Sequence, residues 1–184
     1  MSDRLNLESD VEENRHNWSD EPKHYPPIAE ECTSSSQLTV IDLFCGPGGI
    51  SKGLEWADFK PILGVDIHEP SIETFRKNHR SAHAILGDIR HINKRRSDDR
   101  NILEVLESNE VVQETPLTRV AKQALNGKKV DLLTAGIPCQ GFSLANRKQH
   151  DEDQRNYLFE EFIRGVRLLD PRYILIENVS TMKS

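Results

Sequence analysis

Residues 38–53 read Leu38-Thr39-Val40-Ile41-Asp42-Leu43-Phe44-Cys45-Gly46-Pro47-Gly48-Gly49-Ile50-Ser51-Lys52-Gly53. Leu38–Leu43 is a short apolar run of the kind that forms a buried strand, and Gly49–Trp56 reads as a helix with Ile50, Leu54 and Trp56 as its apolar contacts. Between them, Gly46, Gly48 and Gly49 let the backbone turn tightly and approach a ligand closely. A strand, a glycine turn and a helix in that order open a parallel α/β sheet.

The rest of the chain repeats the alternation. Residues 61–65 form a second strand ending at Asp66. Residues 70–79 form a helix that opens on Pro70, with Ile72 and Phe75 three apart on one face. His83–Leu86 is a short strand before Gly87-Asp88. A polar loop follows over residues 93–99. Ile102, Leu103, Val105 and Leu106 fit a helix, and Pro116–Leu125 fits another. Residues 130–135 are a strand. Residues 155–169 have apolar side chains at 158, 159, 162, 163, 166 and 169, a helical spacing with one apolar face, and residues 172–176 are a final strand ending at Glu177. This pattern predicts a doubly wound α/β fold, a mostly parallel sheet with helices on both faces. In such sheets ligands bind beyond the carboxyl ends of the strands. Residues 42–49, Asp66, Asp88, Cys139 and Glu177 all fall at predicted strand ends, on one edge.

The glycine turn has the look of a nucleotide-type cofactor loop. Asp66 follows Gly46 by 20 residues, at the end of the next strand, where a carboxylate accepts hydrogen bonds from ribose hydroxyls. The spacing Gly-x-Gly-Gly-x-x-x-Gly differs from the dinucleotide pattern Gly-x-Gly-x-x-Gly. A turn of this kind serves a nicotinamide dinucleotide, S-adenosylmethionine or a plain strand-to-helix connection. S-adenosylmethionine has no pyrophosphate and carries a sulfonium charge, which nearby acids favour. Asp42 is one candidate for that role, with capping or positioning of the turn as its alternative.

Residues 136–143 read Gly-Ile-Pro-Cys-Gln-Gly-Phe-Ser. Cys139 follows a proline in a glycine-flanked loop just past a strand, a good place for an exposed nucleophile. A lone cysteine after a strand is more often packed, and a lone strand-end glutamate such as Glu177 more often solvated or capping. Their order along the chain lifts them above those readings.

Together these stretches resemble the DNA (cytosine-5) methyltransferases, whose motifs occur in order over residues 38–180. Asp-Leu-Phe-x-Gly-x-Gly-Gly is similar to the first motif. The resemblance implies the Rossmann-like fold of S-adenosylmethionine-dependent methyltransferases, with Phe44 on the adenine ring and the Cys45–Gly49 backbone, including Gly46 and Gly48, along the methionine part. Val65-Asp66-Ile67 resembles the second motif, with Asp66 on the ribose and Ile67 against adenine. Gly87-Asp88-Ile89 resembles the third, with Asp88 accepting from the adenine amino group and Ile89 beside it. Leu158 matches a further cofactor contact, and Pro138 precedes the nucleophile on the cofactor side. Cys139 and Glu177 take the catalytic roles: a thiolate attacks carbon 6 of cytosine, and a carboxyl group that is protonated, or shares a proton, engages ring nitrogen 3. Burial would raise the Glu177 pKa in that direction. Gln140 and Ser143 shape the loop or touch the DNA backbone, Asn178 is a further substrate-binding candidate, Arg147 is a substrate candidate through its charge, and the target base must leave the stack. Cys45 is read as a small loop residue.

Composition sets the limits. Hydrophobic residues are 36% of the 184, and residues 1–36 hold nine acids against three bases, the whole formal charge of −6. With Pro22, Pro26, Pro27 and a serine run, that segment reads as an acidic, flexible tail or a partner-binding arm, ahead of a domain over 37–184. The domain is formally neutral. Its basic clusters are Lys94-Arg95-Arg96 with Arg100, read as a solvated loop, and Arg147-Lys148, a candidate phosphate contact. Cys32, Cys45 and Cys139 form no C-x-x-C pair, so no metal site is indicated. No apolar run is long enough to span a membrane. A reducing cytoplasm, or a nucleus in a eukaryote, suits a free thiolate. The family continues with an arginine-rich motif, a target-recognition region and a closing helix, so the fold is expected to be incomplete at the C-terminus and completed by a second chain or a C-terminal half. A transfer RNA cytosine-5 methyltransferase, an inactive cofactor-fold binding module and a nicotinamide oxidoreductase are the competing readings.

Overall fold

The structure, a computed structural model, describes residues 21–29, 37–93, 114–137 and 154–177, and for residues 154–157 the backbone alone. In chain order the elements are β1 (Lys23–Tyr25), β2 (Leu38–Leu43), α1 (Gly49–Trp56), β3 (Phe59–Asp66), α2 (Glu69–Asn78), β4 (His83–Leu86), α3 (Ile89–Ile92), α4 (Pro116–Leu125), β5 (Leu132–Gly136), α5 (Gln154–Leu169) and β6 (Tyr173–Glu177). The described strands form one sheet in the order β1-β4-β3-β2-β5-β6. Every pair is parallel except β1 on β4.

Alternation along the strands divides the core into two layers. Ile41, Leu43, Leu63, Val65, Ile85, Leu133 and Ala135 are buried with Leu117, Val120 and Ala121 of α4 and Phe162 of α5. The six α5 positions singled out by spacing all belong to this layer. On the other face, Ile72 and Phe75 of α2 pack with Ala84 and Leu86, and Ser51 of α1 bonds to Asp42 of β2. The sheet is thus doubly wound, as the strand–helix alternation predicts. Thr115 opens α4 with a reciprocal capping box to Thr118, which satisfies amides that the first helical turn leaves orphaned.

The chain runs outward from β2 to β3 and β4 in one direction, and to β5 and β6 in the other. The order therefore reverses at the carboxyl ends of β2 and β5, where doubly wound sheets open a crevice. Register brings the strand ends level: Leu43 pairs with Val65 and Ala135, Asp66 with Leu86, and Gly136 with Glu177.

Four differences from the sequence expectation have physical causes. β3 starts at Phe59, two residues before Pro61, although proline cannot donate to a ladder. The sheet tolerates it because β4 pairs only from Leu63 onward and the β2 register shifts between Val40 and Ile41, opposite Pro61 and Leu63. Trp56 is not an apolar contact of α1; it is 82% exposed, whereas Ser51 is buried. Six residues from Ile50 is about 240° around a helix, which turns Trp56 off the packed face. The acidic segment is not wholly without structure, since Lys23–Tyr25 add a strand to β4. Arg76 lies 4.5 Å over the Tyr25 ring, and His24 stacks on His83 with ring nitrogens 2.9 Å apart. The four-residue helix α3 is the last, capped by Asp88 through the Arg90 amide. The remainder of the tail, the loop beyond residue 93 and the helix expected over 102–106 lie outside the described residues.

Gly64 has no room for a side chain, because an added Cβ would overlap the fully buried Phe75 ring. Gly64→Ala is therefore expected to destabilise the domain by about 1–3 kcal/mol through overpacking. Urea denaturation monitored by circular dichroism checks this, and an unchanged midpoint would contradict the packing described.

Candidate cofactor site at the carboxyl edge of the sheet

Beyond β2 the chain curls through three residues in the left-handed region: Phe44 at φ 58°, Gly46 at 52° and Gly48 at 93°. A phenylalanine in that region is a sterically costly conformation of the kind found at ligand sites. Hydrogen bonds hold it there. The Cys45 amide donates to the Val65 carbonyl at 3.0 Å, and the Gly48 amide to the Cys45 carbonyl at 2.9 Å. The Gly46 amide donates to Asp66 Oδ2 at 2.8 Å, while Asp66 Oδ1 accepts from the His68 amide at 2.8 Å. Asp66 thus ties the turn to the end of β3. A Cβ placed on Gly46 or Gly49 meets nothing within 4 Å, so the turn opens on space that a ligand can enter.

Carboxylates crowd this edge. Asp42 is fully buried; its Oδ2 accepts from Ser51 Oγ at 2.7 Å, and its Oδ1 has no hydrogen-bond partner. Burial raises the Asp42 pKa from 3.8 to about 7, with the Asp66 charge adding and the Ser51 hydrogen bonds opposing. Burial, helped by Asp42 and Asp66, also pushes the Cys45 thiol well above its ordinary value. Cys45 donates to the Gly46 carbonyl at 3.4 Å and is a neutral thiol at neutral pH. At the end of β4, burial pushes the Asp88 carboxyl up, but the hydrogen bonds and charge of Arg90 outweigh it and hold Asp88 below its usual range. Such an edge suits a cationic ligand better than a pyrophosphate.

The structure gathers some of the sequence candidates and leaves others out. Phe44, Cys45, Gly46, Gly48, Gly49, Asp66 and Ile67 lie on or beside the turn, and Ile67 is 40% exposed. Asp88 follows β4 at the same edge. Ile89 and Leu158 instead pack in the core with α4 and α5. Glu177 pairs with Gly136, and its Oε2 would lie 3.8 Å from a Cβ on that glycine. Glu177 is exposed, so the described residues do not supply the burial expected of it. Pro138, Cys139, Gln140, Ser143, Arg147 and Asn178 lie outside the described residues. Asn78 and His79 at the end of α2, which reach back to the turn's Pro47 and Gly48 carbonyls, carry no signal in the sequence pattern.

Residues 38–184 match the C-5 cytosine-specific DNA methylases. The chain belongs to that family. Among its relatives, the type II methyltransferase M1.HphI of Haemophilus parahaemolyticus is 35% identical over 147 residues, 79% of this chain and 33% of that protein. The type II methyltransferase M.Eco47II of Escherichia coli is 32% identical over 162 residues, 88% of this chain and 30% of that protein. A DNA modification methyltransferase encoded within an E. coli prophage has a solved structure that is similar at a TM-score of 0.53 and 29% identity, covering 80% of this chain and 34% of that one. The chain therefore spans about a third of the length of these methylases. The shared part is the Rossmann-like cofactor fold of S-adenosylmethionine-dependent methyltransferases. Among the described residues no helix is long and apolar enough to cross a membrane, and no cluster of three or more metal-ligating side chains occurs.

The buried Asp42 carries a stability signature. Its folded pKa lies above the unfolded value, so its contribution is fully present below about pH 4 and is lost as pH rises through about 7. Wild-type protein minus Asp42→Asn should show a stability difference that falls with pH across that window, by on the order of 1 kcal/mol per pH unit. Denaturation midpoints at stepped pH measure it, and parallel pH profiles for the two proteins would refute the assignment.

Proposed function

We propose that this chain carries the cofactor site and the nucleophile of a DNA cytosine-5 methyltransferase that uses S-adenosylmethionine. The observation that carries the cofactor assignment is the open, acid-ringed glycine turn with Asp66 bonded across it. Each Asp66 oxygen accepts one amide proton and keeps lone-pair capacity for ribose hydroxyls. Phe44 and Ile67 offer apolar surface to an adenine ring. Asp88 accepts from the adenine amino group beside its bond to Arg90. Pro138 and the Ile89 main chain complete the lining, with Leu158 in the supporting core. The Asp66 carboxylate favours a cationic tail in the turn, and so does Asp42 in its ionised form. When bound, S-adenosylmethionine supplies a methyl group on a positively charged sulfur.

The remaining work falls to the chain's own side chains. The Cys139 thiolate adds to carbon 6 of a flipped cytosine, which makes carbon 5 enamine-like and able to take the methyl group. Loss of the carbon-5 proton then expels the thiolate and restores the ring. Glu177 hydrogen-bonds ring nitrogen 3 while charge develops there, and its enclosure comes with the bound base. Gln140, Ser143, Arg147 and Asn178 contact the DNA. Family membership over residues 38–184 supports this reading, as does the register that sets Glu177 beside the strand leading into the cysteine loop.

The test is trapping on cytosine-5-fluorinated oligonucleotides with protein expressed from its native reading frame. A denaturant-resistant adduct on DNA is expected, absent in Cys139→Ser. Methyl transfer to unmodified DNA should fall on the order of 10³-fold or more in Cys139→Ser and roughly 10²–10⁴-fold in Glu177→Gln. An adduct on RNA alone would replace DNA with an RNA substrate. Bound cofactor with no adduct on either would leave a cofactor-fold binding module in place of an enzyme.

A further inference from the structure

His79 follows α2 and is buried to 2% exposure, yet both its ring nitrogens are engaged. Nδ1 lies 2.7 Å from Glu55 Oε1 of α1, and Nε2 lies 3.2 Å from the Gly48 carbonyl oxygen in the glycine turn. The Phe75 ring backs it at 4.6 Å. Its neighbour Asn78 donates from Nδ2 to the Pro47 carbonyl at 3.0 Å. The end of α2 therefore grips two successive carbonyls of the turn. The approach is so close that a Cβ on Gly48 would overlap the His79 ring.

Both atoms facing the ring accept protons. A main-chain carbonyl never donates, and Glu55 is ionised: burial pushes its carboxyl up, but hydrogen bonds from Lys52 and His79 outweigh that and hold it below its usual range. We propose that His79 is a positioning residue of the cofactor turn that acts as a doubly protonated ring, giving one proton to Glu55 and the other to the Gly48 carbonyl. The proposal rests on the reading of this turn as the cofactor site. The charged groups set against the ring are Glu55 and, through it, Lys52 at 2.6 Å, both from α1. The turn itself offers an uncharged carbonyl, and α2 offers an uncharged aromatic ring.

Loss of one ring proton leaves a single proton for two acceptors. The carboxylate is the stronger acceptor and keeps the proton on Nδ1. The Nε2 lone pair then faces the Gly48 carbonyl oxygen, and the turn loses that tether. In Glu55→Gln the outcome reverses. The neutral ring accepts at Nδ1 from the introduced side-chain amide and donates from Nε2 to Gly48, so the tether survives without the charge.

Two readouts on the full chain test this. The first needs no ligand: imidazole nitrogen chemical shifts of His79 followed with pH. The neutral ring should carry its proton on Nδ1 in the wild type and on Nε2 in Glu55→Gln; the same tautomer in both would overturn the proposal. The second is calorimetric titration with S-adenosylmethionine. Wild-type affinity should weaken roughly tenfold in step with loss of the second ring proton, and the Glu55→Gln profile should stay flat over the same range. Affinity that is indifferent to that titration, or that falls equally in Glu55→Gln, would also overturn it. No binding at any pH, with the tautomers as expected, would remove the cofactor reading of the turn and leave the clamp intact.

Discussion

The bond from the Gly46 amide to the Asp66 carboxylate is the contact on which this edge of the molecule depends. It joins the turn after β2 to the end of β3, and hydrogen bonds to a charged partner are worth about 1.5–3 kcal/mol. The second oxygen of the same carboxylate accepts the His68 amide and so fixes where α2 begins. The far end of α2 then returns to the turn through Asn78 and His79. One acidic side chain therefore starts a closed circuit of turn, strand end and helix, which holds Phe44, Gly46 and Gly48 in left-handed backbone conformations.

The same edge concentrates unfavourable electrostatics. Asp42 sits fully buried with one oxygen unpartnered and a pKa raised to about 7. A stability-optimised core would not keep it, since burying an unsatisfied carboxyl is costly. Such a cost is common where a fold must receive a charged ligand, and a cation arriving beside Asp42 and Asp66 would relieve it. A carboxylate-flanked, buried thiol such as Cys45 is poorly suited to attack, in keeping with its reading as a small loop residue.

Most of the fold was legible because the strands obey simple rules. Leu38–Leu43, His83–Leu86 and the apolar face of α5 follow from run length and spacing alone. The misses involve contacts that local pattern does not encode. Pro61 marks a strand start by its chemistry, and the β2–β3 bulge, with β4 pairing only from Leu63 onward, explains why the strand begins earlier. β1 lies in a segment whose composition argues against structure, and it depends on β4 and on Arg76 far along the chain. The site was legible as a set of strand ends, because parallel topology brings such ends to one edge. The clamp by His79 was not, since a histidine after a helix has no distinguishing neighbour in sequence. The exposure of Glu177 goes with that of its strand, in which Tyr173, Ile174 and Leu175 are exposed.

The central claim is that the carboxyl edge around β2, β3 and β4 receives S-adenosylmethionine. Titration of the isotopically labelled chain with S-adenosylmethionine, followed by amide chemical shifts, tests it most directly. The account predicts that the shifted amides cluster at Phe44–Gly49, at Asp66–His68 and at Gly87–Arg90. Shifts confined to the opposite edge of the sheet, or a saturating nicotinamide dinucleotide that occupies the turn in place of S-adenosylmethionine, would contradict it.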